Sequence, residues 1–494
     1  MISDRFSENK PAYHFLWTFG ISGLIYYEIY IMTVTPLVSI MNSISYLSDY
    51  GQSWNLSFWN ILSAWPQGQQ SGLIDPLFEY VNIVLFSGNA LVPCMLTGGV
   101  LFFSYISFGK LLITASNNTT KDFINQSAHS NLFVVVLLLV AAICVFSLNG
   151  WELYTLTLGA PEITRTLLYA IIAFYVFRTL SSAIIEIANL IYIALMLFVS
   201  IVVFGMGQVY GFSMALSLVS IWLTVNPASV RHEKTIIIRR VICLLPFIFL
   251  AIYGSLSYTF GMASSSHITI FPLLSTARLY LNIVASGAIS AESAQKLVWG
   301  SLILILFGLA ISALSTRLVW KLLVSSKSTV SAFAMFLVIY SLLVCGSIVL
   351  ARNDTGIWGV MASRYYVNIM PLYLGMLLSF AVVTRRHNVS SLVGIGDNTI
   401  YDAMQKILIV SIAAAFLYLQ INGNGMEWKI APYRAAYSLN AAKAVVCERP
   451  VTEAAQSILQ ADTLTITRNA VRTMHKYRLG PYRIPGIDNI LCKS

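Results

Sequence analysis

The chain has 494 residues, of which 57% are hydrophobic and only 10% charged, against about a quarter charged in ordinary soluble domains, so it reads as an integral membrane protein. A net charge of +10 does not point to nucleic acid, because the basic excess of a many-spanning protein collects in its cytoplasmic loops. The six cysteines show no CxxC or Cys/His spacing, which excludes a recognisable metal-ligand motif.

The first apolar run, "FLWTFGISGLIYYEIYIMTVTPLV", is too long for a signal-peptide core and lacks a small-residue cleavage site, so it reads as a spanning helix. A span needs roughly 20 mostly apolar residues. That rule predicts eleven helices, at about 14–38, 82–108, 132–149, 165–180, 182–204, 207–226, 241–262, 297–315, 329–351, 365–384 and 406–421. The second contains "SGNALVPCMLTGG", whose glycines and Pro93 predict a break into a re-entrant piece and a helix. The expected fold is an all-α membrane bundle over 1–421 with a small soluble extension over 422–494.

Charge orients this bundle. With the N-terminus inside, the inner segments hold Arg5, Lys10, Lys110, Lys121, Arg178, the four bases of "RHEKTIIIRR", Arg317, Lys321, Lys327, Arg385, Arg386 and Lys406. The outer loops hold only Arg165, Arg278, Lys296, Arg352 and Arg364, the bias expected of cytoplasmic against external loops. An odd number of spans then places the extension outside. Cys447 and Cys492 both lie in it and can pair in an oxidising periplasm; two unrelated thiols are the alternative.

The outer loops therefore carry the candidate chemistry. The first, over 40–81, has no Lys or Arg and sets Asp49, Asp75 and Glu79 among Trp54 and Trp59, whose flat faces suit a sugar ring. Asp75 precedes Pro76 and also reads as a helix N-cap, with Glu79 four residues on and on the same side. Later loops bring Glu152, Glu162 and Arg165, then Arg278 and Glu292, then Arg352, Asp354 and Arg364. A guanidinium fork matches a phosphate, so Arg364, with Arg352, Arg278 and Arg165, reads as a lipid-phosphate ligand, and Tyr365 as a headgroup-level neighbour. A snorkelling helix end, or an ion pair such as one with Asp354, is the alternative for Arg364. Glu28 lies inside the first span, where an acid has a substrate or proton role or is held structurally by hydrogen bonds.

On "YLSDYGQSW" after the first span, "ASRYYVNIMP" at the mouth of the tenth and the 422–494 extension, the chain resembles polytopic glycosyltransferases of the GT-C type. Among these it is similar in layout to the O-antigen serotype-converting glucosyltransferases. The resemblance implies inverting transfer of a hexose from a polyprenyl-phosphate carrier to a surface polysaccharide or lipid-linked glycan, at the outer face of the bacterial inner membrane. It implies Asp49 as the first choice of base, with Asp75 or Glu79 next, and arginines that stabilise the departing lipid phosphate. A flippase and a polyprenyl-phosphate glycosyltransferase would supply the donor. The Asp-Asp or Asp-x-Asp pair frequent in such loops is absent where Asp49 stands alone, which leaves a divalent cation an open matter. An O-antigen polymerase or ligase, or a lipid-linked glycan flippase, is the competing class.

Overall fold

The computed structural model describes residues 10–38, 42–52, 73–117, 127–225, 233–259, 273–384 and 399–493, apart from positions 156, 158, 183, 206–207, 325–326 and 449. Among them there is no strand. Among the described residues nine helical segments are long and apolar enough to cross a bilayer: Pro11–Val34, Leu91–Ser116, Leu132–Thr155, Gly159–Leu180, Thr235–Leu256, Gly300–Val324, Thr329–Val360, Ser363–Val383 and Ile407–Val446. The protein is a multi-pass membrane protein. Three shorter apolar helices, Ile187–Val203, Val209–Thr224 and Leu273–Ala285, accompany them.

In chain order the helices are α1 (Lys10–Val34), α2 (Asn42–Gln52), α3 (Ile74–Phe86), α4 (Leu91–Asn117), α5 (Ser127–Val145), α6 (Trp151–Thr155), α7 (Gly159–Leu180) and α8 (Ile187–Leu197). A π-helical turn, Phe198–Val203, prolongs α8. They continue as α9 (Val209–Thr224), α10 (Glu233–Thr259), α11 (Leu273–Ala285), α12 (Ala291–Gln295), α13 (Gly300–Val324), α14 (Thr329–Arg352), α15 (Gly356–Val360) and α16 (Tyr366–Thr384). The last four are α17 (Thr399–Val446), α18 (Glu453–Leu459), α19 (Leu464–Tyr477) and α20 (Ile487–Leu491).

Two sequence boundaries are corrected. The break at "SGNALVP" falls at Ser87 and Gly88, both with positive φ, so the second long helix begins at Leu91 and not at 82. Residues 74–86 form the separate α3, which buries Asp75, Glu79 and Asn82 and exposes Val84 and Leu85. These positions follow the i, i+4, i+7 rhythm of one helical face. The last helix does not stop at 421. It runs on through Val446 for 48 residues, parallel to α1, with Tyr26 meeting Asn424, Tyr30 meeting Glu427 and Ser438 meeting the carbonyl of Thr35.

The third predicted outer loop contains a dip into the bundle. Arg278 of α11 donates to Ser301 at the start of α13, and Leu281 sits against Gly308, two turns further along. A Cβ on Gly308 would stand 2.1 Å from the Leu281 carbonyl, so the close approach requires glycine. The chain then turns back, with Gly287 accepting from Gln420 and Glu292 reaching Arg434 further up α17. Thirteen residues are too few for a span, which is why hydropathy reads this stretch as loop.

The α17 extension, α18, α19 and α20 form a cap on the end of the bundle that also carries α2 and α3. A second apolar core, including Ile44, Leu47, Val445, Ala470 and Met474, joins α2 to this cap. The first loop and the C-terminal extension thus lie on the same face, here called the head end. Cys447 and Cys492 form a disulfide across a sequence separation of 45 residues. The loop-entropy estimate for such a closure is about 4 kcal/mol. Cys492→Ser is therefore expected to expose 450–493 to limited proteolysis at temperatures where the wild-type cap is intact. Equal protease resistance of the two proteins would show that apolar packing alone holds the cap.

Candidate functional site

Two charged clusters meet at the head end. In the first, α3 turns Asp75 and Glu79 inward. Arg165, on the first half of α7, is 1% exposed and lies between Asp75 Oδ2 at 3.4 Å and Glu162 Oε2 at 2.9 Å. Its Nε donates to the carbonyl of Phe204, just past the π turn. Phe204 is the residue on which the π turn ends, and the arginine supplies a donor to its carbonyl there. Asp75 is not the helix N-cap expected from the sequence; Leu73 holds that position, and Asp75 faces the arginine instead. Burial raises the Asp75 carboxyl, and it outweighs the opposing attraction of Arg165.

Glu79 has a different environment. Its Oε2 accepts from Ser43 at 3.2 Å, and the Ser43 hydroxyl lies 3.1 Å from that of Thr157. Its Oε1 is buried with no hydrogen-bond partner among the described residues, as are both amide atoms of Asn82 one turn on. Burial pushes the Glu79 carboxyl up to about 7. Thr157 holds φ at +67°, a costly conformation for a β-branched residue, and that conformation brings its hydroxyl to Ser43.

The second cluster joins distant parts of the chain. Arg364 donates to Glu152 at 2.8 Å, and Ser363 donates to the other carboxylate oxygen at 3.2 Å. The partner of Arg364 is thus Glu152 and not Asp354. Its side chain remains 31% exposed, with Tyr365 beside it. On α17, Arg434 donates to Glu427 at 2.9 Å and to Glu292 at 2.6 Å, while Tyr30 donates to Glu427 at 2.8 Å. The guanidinium also lies 3.0 Å from the ring centre of Trp151.

An apolar groove of about 240 Å³ lies between α4, α7, α14 and α16. It starts beside Ile163 and Thr166, the turn of α7 that carries Glu162 and Arg165, and passes Tyr169, Tyr340 and Leu374. Its walls are aromatic and aliphatic, with few polar groups. A slot of this kind suits a hydrocarbon chain.

The remaining candidates are placed as follows. Asp49 lies on the exposed face of α2, and partial burial raises its carboxyl. Arg278 and Arg352 are exposed on α11 and α14, with Arg278 on Ser301. Trp54 and Trp59 lie outside the described residues. Glu28 faces Gly98 of α4, with Oε2 unpartnered. Among the described residues no three His, Cys, Asp or Glu side chains gather as a metal site.

Sequence reasoning missed Arg434 and Glu427, because the polar stretch after 421 reads as a soluble tail. Their i, i+7 spacing in "EWKIAPYR" was the available signal, since it puts both on one helical face. Glu152 and Glu292 were visible as loop acids without a role. Compared with family models, curated proteins and solved structures, the chain matches none of them.

Proposed function

We propose that the protein transfers a hexose from a polyprenyl-phosphate carrier to a surface glycan at the outer face of the bacterial inner membrane. The observation that carries this reading is one of contiguity. Inward-turned first-loop carboxylates and Arg165 gather at the head end, and Ile163 and Thr166, the chain neighbours of Glu162 and Arg165 on α7, line an apolar groove of hydrocarbon character. The two shorter helices Ile187–Val203 and Val209–Thr224 complete eleven crossings, with the N-terminus inside and the head end outside.

In this reading the carrier's isoprenoid chain occupies the groove and its phosphate meets Arg364, which stands at the start of a groove-lining helix and keeps part of its guanidinium open. Arg165 is held in ion pairs with two acids and serves to hold α3 on α7. Glu79 is the base. It removes the proton from an acceptor hydroxyl as that oxygen attacks the anomeric carbon, and the lipid phosphate leaves with the bonding electrons. An acidic leaving group needs positioning and charge stabilisation more than protonation. Asp49 stands in the cap layer and Asp75 is committed to Arg165, so Glu79 is preferred to both.

Mass spectrometry of surface glycans from hosts with and without the gene tests this, followed by transfer from a polyprenyl-phosphate hexose in proteoliposomes. An added hexose is the expected result. Movement of an intact lipid-linked glycan across the bilayer with no new glycosidic bond would place the protein among flippases. An increase in chain length without a new side-chain sugar would make it a polymerase.

A further inference from the structure

A second cavity, of about 280 Å³, opens in the head end between the top of α1, α6 and the outward part of α17, closed on one side by the cap. We infer that it binds a neutral saccharide unit of the acceptor glycan, an assignment that rests on the transferase reading above.

The chemistry of the walls selects the ligand. Trp151, Tyr433 and Tyr437 supply aromatic surface, while Glu152, Arg434 and Gln460 supply polar groups. Tyr433 is 73% exposed, a large ring left open at the rim. One of its ring faces can take the C–H face of a pyranose, as aromatic residues do wherever one side of a contact is apolar and the other wet. The charges are balanced from within. Glu152 is held by Arg364 and Ser363, and Arg434 by Glu427 and Glu292. The cation in the cavity wall is Arg434, which faces two acids, Glu427 and Glu292, so a phosphate or uronate entering here meets no unneutralised cation. A polyol meets spare capacity instead. Arg434 spends Nε and Nη2 on its acids and, among the described residues, has no hydrogen-bond partner at Nη1. Gln460 spends Nε2 on Tyr437, and its carbonyl oxygen has no partner among the described residues. Donors and acceptors without net charge are what a sugar hydroxyl set satisfies.

Position supports the same assignment. The cavity wall includes Val34, Pro36, Val38 and Thr155. In sequence, Ser43 follows Val38 by five residues and Thr157 follows Thr155 by two, and these are the two hydroxyl groups that lead to Glu79. A glycan anchored by one unit in the cavity is then held next to the segments that carry the hydroxyl groups around the proposed base.

The test reads binding and not transfer. Full-length protein in detergent is titrated with neutral oligosaccharides and with uronate- or phosphate-bearing analogues of equal length, followed by saturation-transfer NMR. Neutral oligosaccharides are expected to bind better than the anionic ones. Tyr433→Ala and Gln460→Ala should each weaken them by about tenfold, with thermal midpoints and binding of a polyprenyl-phosphate donor unchanged. Both positions are exposed, so misfolding is not the expected failure. Anionic analogues binding as well as neutral ones, no neutral oligosaccharide binding at all, or indifference to both substitutions would overturn the inference. Retained saccharide binding in a protein that shows no transfer would instead remove the transferase reading and leave this site standing.

Discussion

Arg165→Met is expected to lower the stability of the purified protein by about 3–5 kcal/mol, the loss typical when one partner of a buried ion pair is removed. The substitution leaves Asp75 and Glu162 facing each other where the guanidinium stood, with Asp75 fully buried. It also leaves the Phe204 carbonyl without its Arg165 donor. Neither loss is met by water at a residue that is 1% exposed. The damage should be local to the junction of α3, α7 and the π turn. Proteolysis is accordingly expected to begin near 73–90 while the cap remains joined by its disulfide.

A second variant separates charge removal from lost packing. Replacing Asp75 by Leu in the Arg165→Met background removes the more deeply buried of the two stranded acids, and should recover a substantial part of the loss, because a well-packed apolar pair can match a buried ionic one. The pair would then show a coupling energy of at least about 1 kcal/mol in a double-mutant cycle. Additive losses would mean that Arg165 and Asp75 do not act on each other, and that the arginine is held for some other task, such as phosphate binding.

The pairing around Arg165 shows which parts of the molecule the sequence could reveal. Nine of the predicted spans correspond to long apolar helices, because bilayer thickness imposes a length that composition records directly. The shared face of Asp75 and Glu79 was also legible, since helical geometry fixes it within one turn. Arg364 and Glu152 are 212 residues apart in the chain, and no local rule links them. The same is true of Arg434 and Glu292, which meet only because the stretch around 287 dips in and returns. Hydropathy could not register that dip, as 13 residues score like any apolar loop segment. It also ended α17 too early, because a helix leaving the membrane becomes polar without ceasing to be a helix.

Glu79→Gln is expected to reduce sugar transfer by about 10²–10⁴-fold, the usual contribution of a positioned general base, with protein abundance and donor binding close to wild type. The amide retains the shape of the side chain and can still accept from Ser43, so a structural role would leave activity nearly intact. The pH dependence gives an independent test with opposite signs for rate and stability. Glu79 must be ionised to accept a proton, so wild-type transfer should rise with pH through about 7 and level off above. Stability runs the other way. The folded state raises this carboxyl from 4.5 to about 7, so the folded protein binds the proton more tightly than the unfolded chain. The resulting stabilisation is complete below 4.5 and is lost as pH climbs through about 7, an effect of at most about 3 kcal/mol. Between pH 5.5 and 8 the thermal midpoint in detergent should therefore fall while the transfer rate climbs. In Glu79→Gln this share of the stability slope should vanish, as the amide does not titrate. A Glu79→Gln enzyme that keeps both wild-type turnover and the wild-type pH–rate profile would return the role of base to Asp49.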